Sequence, residues 1–201
     1  MNDIRLGWDD ITDVFKKLYP SIEPKHYSPI IKYSVGGSDP LDGVSVYDAG
    51  DYYHFVTYGF SEIYERENTT DLSGFGFELT FKLKKTKDMN EDEISNTVVI
   101  LQKLARYVFN TRNLFKPMDY IYSPQTKGMD LNRKSKITGF ITVEDKDAKT
   151  INSINGKLQF LELIGVTQEE LQRIINKEEP KENIINSILD NYSDITDYSR
   201  A

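Results

Sequence analysis

The stretch SGFGFELTF (Ser73–Phe81), which continues as KLK to Lys84, decides the fold because hydrophobic and polar side chains alternate along it. The first set is mostly aromatic and consists of Phe75, Phe77, Leu79, Phe81 and Leu83. The second set consists of Gly76, Glu78, Thr80, Lys82 and Lys84. Side chains at alternating positions of a strand point to opposite faces of a sheet. We therefore predict a strand with one buried, aromatic-rich face and one solvated face.

Other hydrophobic runs predict further strands, at Val44–Tyr47, His54–Phe60, Ile30–Val35 and Ile137–Val143. Asn155–Gly156 is the strongest hairpin signal in the chain, since a type I′ turn requires a positive φ at both central residues. This turn would place Ile151 opposite Phe160 on one side of the sheet.

Hydrophobic residues spaced by three and four predict a first helix from Trp8 to Leu18, which Pro20 ends. A longer helix follows the acidic turn Asp88–Glu93. Its hydrophobic stripe is so wide that we expect burial on more than one side. The stripe consists of Ile94, Val98, Val99, Ile100, Leu101, Leu104, Ala105, Tyr107 and Val108.

The last part of the chain carries two more helix signals. Thr167 and Glu170 form a capping box, and Val166 and Leu171 are placed as a hydrophobic staple. Pro180 opens a final helix, after which we expect residues 193–201 to be frayed. Together the elements predict an α+β fold with a mixed, mostly antiparallel sheet packed with helices. We assign residues 1–178 to one domain and 179–201 to a helical appendage of the same globule.

The chain of 201 residues has a net charge of -7 and a pI near 5.0. This charge argues against direct binding to nucleic acid, which needs clustered Lys and Arg. It fits either a soluble protein kept apart by self-repulsion or an acidic surface that captures a basic partner. The absence of cysteine excludes a disulfide scaffold and a thiol nucleophile. With no secretory signal and no membrane-spanning run, we expect a cytoplasmic protein.

The sequence contains no recognisable catalytic motif. His54 lies on a mostly apolar strand face, and we interpret it as a hydrogen-bonded packing residue. Gly74-Phe75-Gly76 lacks the third glycine of a dinucleotide loop, and the Asp88, Asn90, Asp92 spacing lacks the glycine and glutamate of a calcium loop. We therefore expect no metal, no cofactor and no catalytic residue. Carboxylates such as Glu78 or Asp119 leave a small hydrolase open as an alternative.

Several long segments, in this order, resemble the suppressor-of-fused family. They are LYP (Leu18–Pro20), IIKYSVGGSDPLDGVSVY (Ile30–Tyr47), HFVTYGFSEIY (His54–Tyr64), SGFGFELTFKL (Ser73–Leu83), LARYVF (Leu104–Phe109) and NGKLQFLELIGVTQEEL (Asn155–Leu171). The resemblance implies a suppressor-of-fused-like domain that binds other proteins. Animal members add a second lobe and clasp an extended peptide of a transcription factor as a strand. This chain ends where the first lobe ends, so it resembles the short bacterial members.

The resemblance also implies three peptide-groove residues. They are Tyr107 in LARYVF, Asp119 ten residues after the end of that motif, and Glu144 after the next strand. Carboxylates accept N–H groups and cations of a strand-adding peptide, and a tyrosine packs against its side chains. The alternative is that Tyr107 belongs to the core and that the two acids are solvated turn residues.

Two functions of different classes remain open at this point. The first is a non-catalytic binding module. Short bacterial members are associated with toxin systems, so this module would be an immunity protein that neutralises a basic toxin domain, or a regulatory domain without a toxin partner. The second is a small hydrolase with paired carboxylates.

Overall fold

The computed structural model describes residues 6–64, 71–87, 89–122 and 127–200. These residues form four α-helices, eight strands and a short 3₁₀ turn. The helices are α1 (Leu6–Leu18), α2 (Glu91–Thr111), α3 (Gln168–Ile175) and α4 (Lys181–Tyr192). The strands are β1 (Lys25–Tyr27), β2 (Gly43–Asp48), β3 (Tyr52–Tyr58), β4 (Leu72–Lys84), β5 (Tyr120–Tyr122), β6 (Ile137–Glu144), β7 (Ile151–Ser153) and β8 (Gly156–Thr167).

The strands form one sheet in the order β1-β2-β3-β4-β8-β6-β5, with β7 paired to β8 beside this path. Only the β4–β8 pair is parallel among the described strands. The long strands β4 and β8 lie at the centre, and the three-residue strands β1 and β5 lie at the two edges. The predicted α+β fold with a mixed, mostly antiparallel sheet is confirmed.

Helices cover both faces of this sheet. On one face, α2 packs against Phe77, Leu79, Phe81 and Leu83 of β4. On the other face, Ile11 and Phe15 of α1 pack against Tyr47, Val56, Tyr58 and Phe160. At the β6 side, α3 and α4 bury Ile174, Ile184, Ile185 and Ile188 against Ile141 and Ile164. The hydrophobic core therefore has layers above and below the sheet.

The predicted solvated face of β4 is wrong. Glu78 and Thr80 are fully buried, and Lys82 is 1% exposed. α1 and the residues packed around it cover this face, and the polar side chains remain there because hydrogen bonds and ion pairs satisfy them. The alternation predicted the strand and its aromatic face correctly. It does not show whether the polar side chains of the other face contact water or buried polar groups.

The predicted strand at Ile30–Val35 is also wrong. Its last three residues form a 3₁₀ turn, and Ile30 is fully exposed. The edge strand β1 instead forms from Lys25–Tyr27, which pairs with Val44–Val46. β-branched residues favour strands only where a neighbouring strand and a core are available to them.

The hairpin between β7 and β8 has a different register from the predicted one. Ser153 pairs with Gly156, so the two turn residues are Ile154 and Asn155, and Ile151 lies opposite Leu158. Of the predicted turn pair, only Gly156 has a positive φ, at 117°. The Asn155 amide donates to the Glu62 and Tyr64 carbonyls at 2.9 and 2.7 Å. These tertiary bonds account for the shifted turn.

Helix α2 buries only one side, contrary to the prediction. Its inner side includes Leu101, Ala105 and Val108, whereas Val99 and Tyr107 are 48% and 46% exposed. Its N-cap is Asn90, whose side chain accepts a hydrogen bond from the Glu93 N–H at 3.2 Å. Asp88 of the predicted acidic turn lies outside the described residues.

The predicted fraying of residues 193–201 is wrong for residues 193–200, which are bonded to the sheet, and Ala201 lies outside the described residues. The Thr196 N–H donates to the Lys82 carbonyl, and the Lys84 N–H donates to the Thr196 carbonyl, both at 2.9 Å. The Gly165 N–H donates to the Thr196 hydroxyl at 2.8 Å. Thr196 thus lies between the ends of β4 and β8. The capping box at Thr167 and Glu170 is present as predicted.

Candidate functional site

Tyr107 lies on the outer side of α2, near its C-terminal end. Its ring stacks on Phe115, with 6.0 Å between ring centroids and 15° between ring planes. The Asn113 amide donates to its hydroxyl at 3.2 Å. Because Tyr107 is 46% exposed, a partner can contact this ring without unfolding the helix.

Asp119 lies directly before β5. One carboxylate oxygen accepts a hydrogen bond from the Lys116 N–H at 2.9 Å. Its main chain is bonded to β6, because the Thr142 N–H donates to the Asp119 carbonyl at 2.9 Å. The backbone of Asp119 is therefore fixed to the sheet, and its carboxylate is partly exposed.

Glu144 is the last residue of β6 and is exposed. Its Oε1 accepts a hydrogen bond from the Gln159 amide at 2.9 Å. Gln159 lies opposite Phe77 in the β4–β8 pair, and the Phe77 ring lies 6.3 Å from the Phe115 ring. Since Phe115 also contacts Tyr107, a continuous series of contacts joins Tyr107 and Glu144 on the α2 face of the sheet.

Strand β5 is the outer strand on this side of the sheet. The Met118 N–H donates to the Thr142 carbonyl, and the Thr142 N–H donates to the Asp119 carbonyl. Because hydrogen-bonded and non-hydrogen-bonded pairs alternate along an antiparallel ladder, Phe140 and Ile121 form the next hydrogen-bonded pair. The intervening residues Tyr120 and Tyr122 therefore direct their N–H and C=O groups away from β6. No described strand pairs with that outer edge.

The side chains of β5 alternate between the two faces. Ile121 packs in the core under α2, together with its cross-strand partner Phe140. Tyr120 lies opposite Ile141, which belongs to the core under α3 and α4. Asp119 thus faces the α2 side, and Tyr120 and Tyr122 face the α3–α4 side, where they are 42% and 40% exposed.

Glu78, the carboxylate named for the hydrolase alternative, is a core residue. It accepts hydrogen bonds from the Thr57 hydroxyl at 2.6 Å, the Ser61 hydroxyl at 2.6 Å, and the Gly59 and Ser61 N–H groups at 2.9 Å. Burial raises the pKa of Glu78 to about 7, although these hydrogen bonds oppose the shift. The carboxyl fixes the connection between β3 and β4.

His54 is fully buried beneath α1. Its Nδ1 lies 2.8 Å from the Tyr19 hydroxyl, and its Nε2 lies 3.4 Å from Asp145. Burial lowers the pKa of His54, so the ring is neutral at pH 7. These contacts agree with the interpretation of His54 as a hydrogen-bonded packing residue.

A buried ion cluster surrounds Lys82. Its Nζ lies 2.6 Å from Asp147, 2.7 Å from Asp194 and 3.3 Å from Glu162. Burial opposes the charge of Lys82, but the three carboxyl groups raise its pKa above the usual range. Burial also raises the pKa of Glu162 well above its ordinary value. The cluster links the central strands to the C-terminal segment.

The described part of the chain contains neither a metal-binding cluster nor a membrane-spanning helix. No three His, Cys, Asp or Glu side chains in it are arranged to hold a metal ion. Of its helices, none has both the length and the apolar character needed to span a membrane.

Sequence reasoning missed two features. The open edge of β5 depends on the order of the strands in the sheet. The sequence of a three-residue strand does not reveal this order. The Lys82 cluster brings together residues as far apart as 82 and 194 along the chain. The only available signal was that Glu78 and Lys82 alternate with large hydrophobic residues on one long strand.

The comparisons with known proteins agree with this fold. The sequence model of the Suppressor of fused protein (SUFU) family matches residues 37–201. The human Suppressor of fused homolog is 34% identical over 173 residues, which cover 78% of this chain and 34% of the human protein. The chain therefore spans about a third of the length of the curated relatives it matches.

Solved structures show the same architecture. A chain of the Sufu–Fu complex matches with a TM-score of 0.84 and 25% identity, covering 98% of this chain and 92% of that one. Drosophila Suppressor of Fused matches with a TM-score of 0.85 and 25% identity over 98% of this chain and 51% of its own. A chain from Neisseria gonorrhoeae described as a SUFU homolog shares the fold alone, with a TM-score of 0.64, 14% identity, and coverage of 96% and 94%. This chain belongs to the Suppressor of fused protein family.

Proposed function

We propose that this chain is a non-catalytic protein-binding module that accepts an extended segment of a partner as an additional strand on the outer edge of β5. The observation that carries the proposal is the outward main chain of Tyr120 and Tyr122 directly after the acidic Asp119, with Glu144 on the same face at the end of the neighbouring strand β6. An added strand pairs with such an edge, and side-chain contacts then select its sequence. Tyr107 would pack against the added strand from the α2 side.

The charge of the chain favours a basic partner. Neither Asp119 nor Glu144 forms an ion pair with any described residue. The net charge of -7 would speed the approach of a basic protein, and salt would weaken that attraction. We propose further that the partner is a toxin domain and that the chain is a cytoplasmic bacterial immunity protein. The acidic net charge, which suits a basic toxin domain, supports this finer proposal.

Two alternatives compete with this function. A regulatory domain without a toxin partner would use the same edge, and the match to a chain of the Sufu–Fu complex agrees with partner binding in general. A small hydrolase has weaker support, because Glu78 and His54 are enclosed in the core and bonded to neighbouring side chains.

The experiment that tests the proposed function is a titration with the purified products of the genes adjacent to this one. One neighbour should bind the wild-type chain tightly, and Asp119→Lys with Glu144→Lys should weaken binding roughly 10- to 100-fold. The melting temperature should stay nearly unchanged because both acids are at least partly exposed.

The matched control is Asp9→Lys with Glu23→Lys, which changes the net charge equally at two exposed acids outside this edge. Equal loss of binding in both double variants would show that only net charge matters. Failure of every neighbour to bind would remove the toxin partner from the proposal.

A further inference from the structure

A groove on the opposite face of the sheet from Asp119 has no assigned role. It measures about 460 Å³ and lies beside β5, between Tyr120 and the α3–α4 connection. Its lining is Tyr120, Ile174, Ile175, Lys177, Glu179, Pro180 and Lys181. Tyr120 is 42% exposed and Ile175 is partly exposed, so apolar surface faces solvent in this groove.

The lining of the groove carries two lysines, Lys177 and Lys181, and one acid, Glu179. Arg173 binds Glu179 at 2.5 Å and neutralises the one acid in the lining. Lys177 and Lys181 form no ion pair with any residue that the structure describes. The two faces of the β5 edge therefore carry different charged side chains, with Asp119 on the α2 face and the two lysines on the α3–α4 face.

A strand added to β5 would present its side chains alternately to these two faces. Side chains on the α2 face would meet the Asp119 carboxylate. Side chains on the other face would meet Tyr120, Ile175 and the two lysines. Because the pattern has a period of two, the two faces can select residues independently along one segment.

We propose that the α3–α4 groove is a specificity pocket for a large apolar side chain of the added strand, with an acidic residue favoured next to it on the same face. The proposal rests on the proposed function, because it needs a strand on β5. The partner segment thus has Lys or Arg at one set of alternate positions, and apolar and acidic residues at the other set. This arrangement matches the charges of both faces, whereas a uniformly basic segment would be repelled by Lys177 and Lys181.

The test is a display selection against the full chain. The library consists of extended peptides of about ten residues in which every position is drawn from Lys, Glu, Leu and Ser, so that period-two patterns can emerge from side-chain selection alone. We expect enrichment of Lys at alternate positions and of Leu and Glu between them. A synthetic peptide with the selected pattern then serves as the probe for affinity measurements.

Variants of the chain assign each preference to a face. Asp119→Lys should remove the preference for Lys and keep the preference for Leu. Ile175→Glu should remove the preference for Leu and keep the preference for Lys. Replacement of the pocket Leu of the peptide by Ser should lower the affinity for the wild-type chain about tenfold and leave the affinity for Ile175→Glu unchanged. Lys177→Glu with Lys181→Glu should switch the residue preferred next to the pocket Leu from Glu to Lys. Because both lysines lie outside the core, this double variant tests the pocket without changing a core residue.

The outcomes separate the two proposals. A selection without period-two enrichment, or one that Asp119→Lys leaves unchanged, overturns the proposed function and this inference with it. Two outcomes overturn the pocket alone, provided that Lys is enriched at alternate positions and that this enrichment depends on Asp119. In the first, no preference for Leu appears. In the second, a preference for Leu appears but is the same in Ile175→Glu and in the lysine double variant. Melting temperatures of all variants confirm that the fold is intact.

Discussion

The buried carboxyl of Glu78 allows a quantitative test of whether the polar residues of the sheet support the fold. Glu78→Ala removes the acceptor of four hydrogen bonds, two of which come from the Gly59 and Ser61 N–H groups. A buried donor left without an acceptor costs about 1–3 kcal/mol, whereas the two hydroxyls can rotate toward other acceptors. We therefore expect Glu78→Ala to lower the free energy of unfolding by about 3–5 kcal/mol near pH 5.5.

Glu78→Gln is the matched control because it copies the protonated carboxyl. Its carbonyl oxygen can accept the three bonds that reach Oε1, from the Gly59 N–H and from the N–H and hydroxyl of Ser61. Its amide can donate to the Thr57 hydroxyl, which also lies within reach of the Leu79 carbonyl. The free energy of unfolding should therefore stay within about 1 kcal/mol of wild type near pH 5.5.

The pH dependence follows from the pKa of Glu78, which burial raises to about 7 from the ordinary 4.5. Between these values the native state holds a proton that the unfolded state has released. Glu78 therefore lowers the stability of the wild-type chain by up to roughly 3 kcal/mol as the pH rises through this window, and Glu78→Gln lacks this contribution. The free energy of unfolding of Glu78→Gln should rise relative to wild type as the pH increases from about 5 to 8.

Urea unfolding monitored by the fluorescence of Trp8, the one tryptophan, measures these differences. Trp8 stacks on the buried Tyr58 with 4.0 Å between ring centroids, so its emission reports the packing of α1 on the sheet. A cost below about 1 kcal/mol for Glu78→Ala would refute the hydrogen-bond argument. A pH-independent difference between wild type and Glu78→Gln would refute the assignment of the raised pKa.

Three further changes test other parts of the core, each by urea unfolding. Lys82→Met should cost about 3–5 kcal/mol because it removes the buried cation that contacts Asp147, Asp194 and Glu162 and leaves Asp194 with only the exposed Lys146, whereas Lys84→Met at an exposed site should cost under about 0.5 kcal/mol; equal costs would contradict a structural role for the buried cluster. Gly74→Ala should cost about 3 kcal/mol because its φ is 56° and a Cβ would lie 2.7 Å from main-chain atoms, whereas Gly50→Ala, with φ 88° and open space, should cost about 1 kcal/mol. Phe77→Ala should cost about 3–5 kcal/mol as a truncation in the core under α2, and a cost near zero would mean that the α2 face is not packed around this ring.

The sequence was sufficient where local physics decides the outcome. The alternation from Phe75 to Leu83 located the central strand, and its aromatic face packs under α2 as predicted. The capping box at Thr167 and Glu170 begins α3 because both of its hydrogen bonds are local. The family motifs gave the fold class, since they extend over most of the chain.

The sequence was insufficient where distant contacts decide. Glu78 and Lys82 looked solvated because their partners lie elsewhere in the chain, as the bond between Lys82 and Asp194 illustrates. The predicted turn at Asn155–Gly156 moved by one residue because the Asn155 side chain donates to the carbonyls of Glu62 and Tyr64, in the segment that follows β3. The implied groove residues Tyr107, Asp119 and Glu144 lie on one face, but their role in binding remains a proposal.

Amide hydrogen exchange of the chain, with and without a saturating binding partner, tests strand addition at β5 most directly. The partner is the neighbour-encoded protein or the selected peptide. The account predicts new protection of the outward N–H groups of Tyr120 and Tyr122, with no change at Ile121, which is already paired to β6. Protection confined to the other edge strand, Lys25–Tyr27, or no change at either tyrosine under saturation, would contradict it.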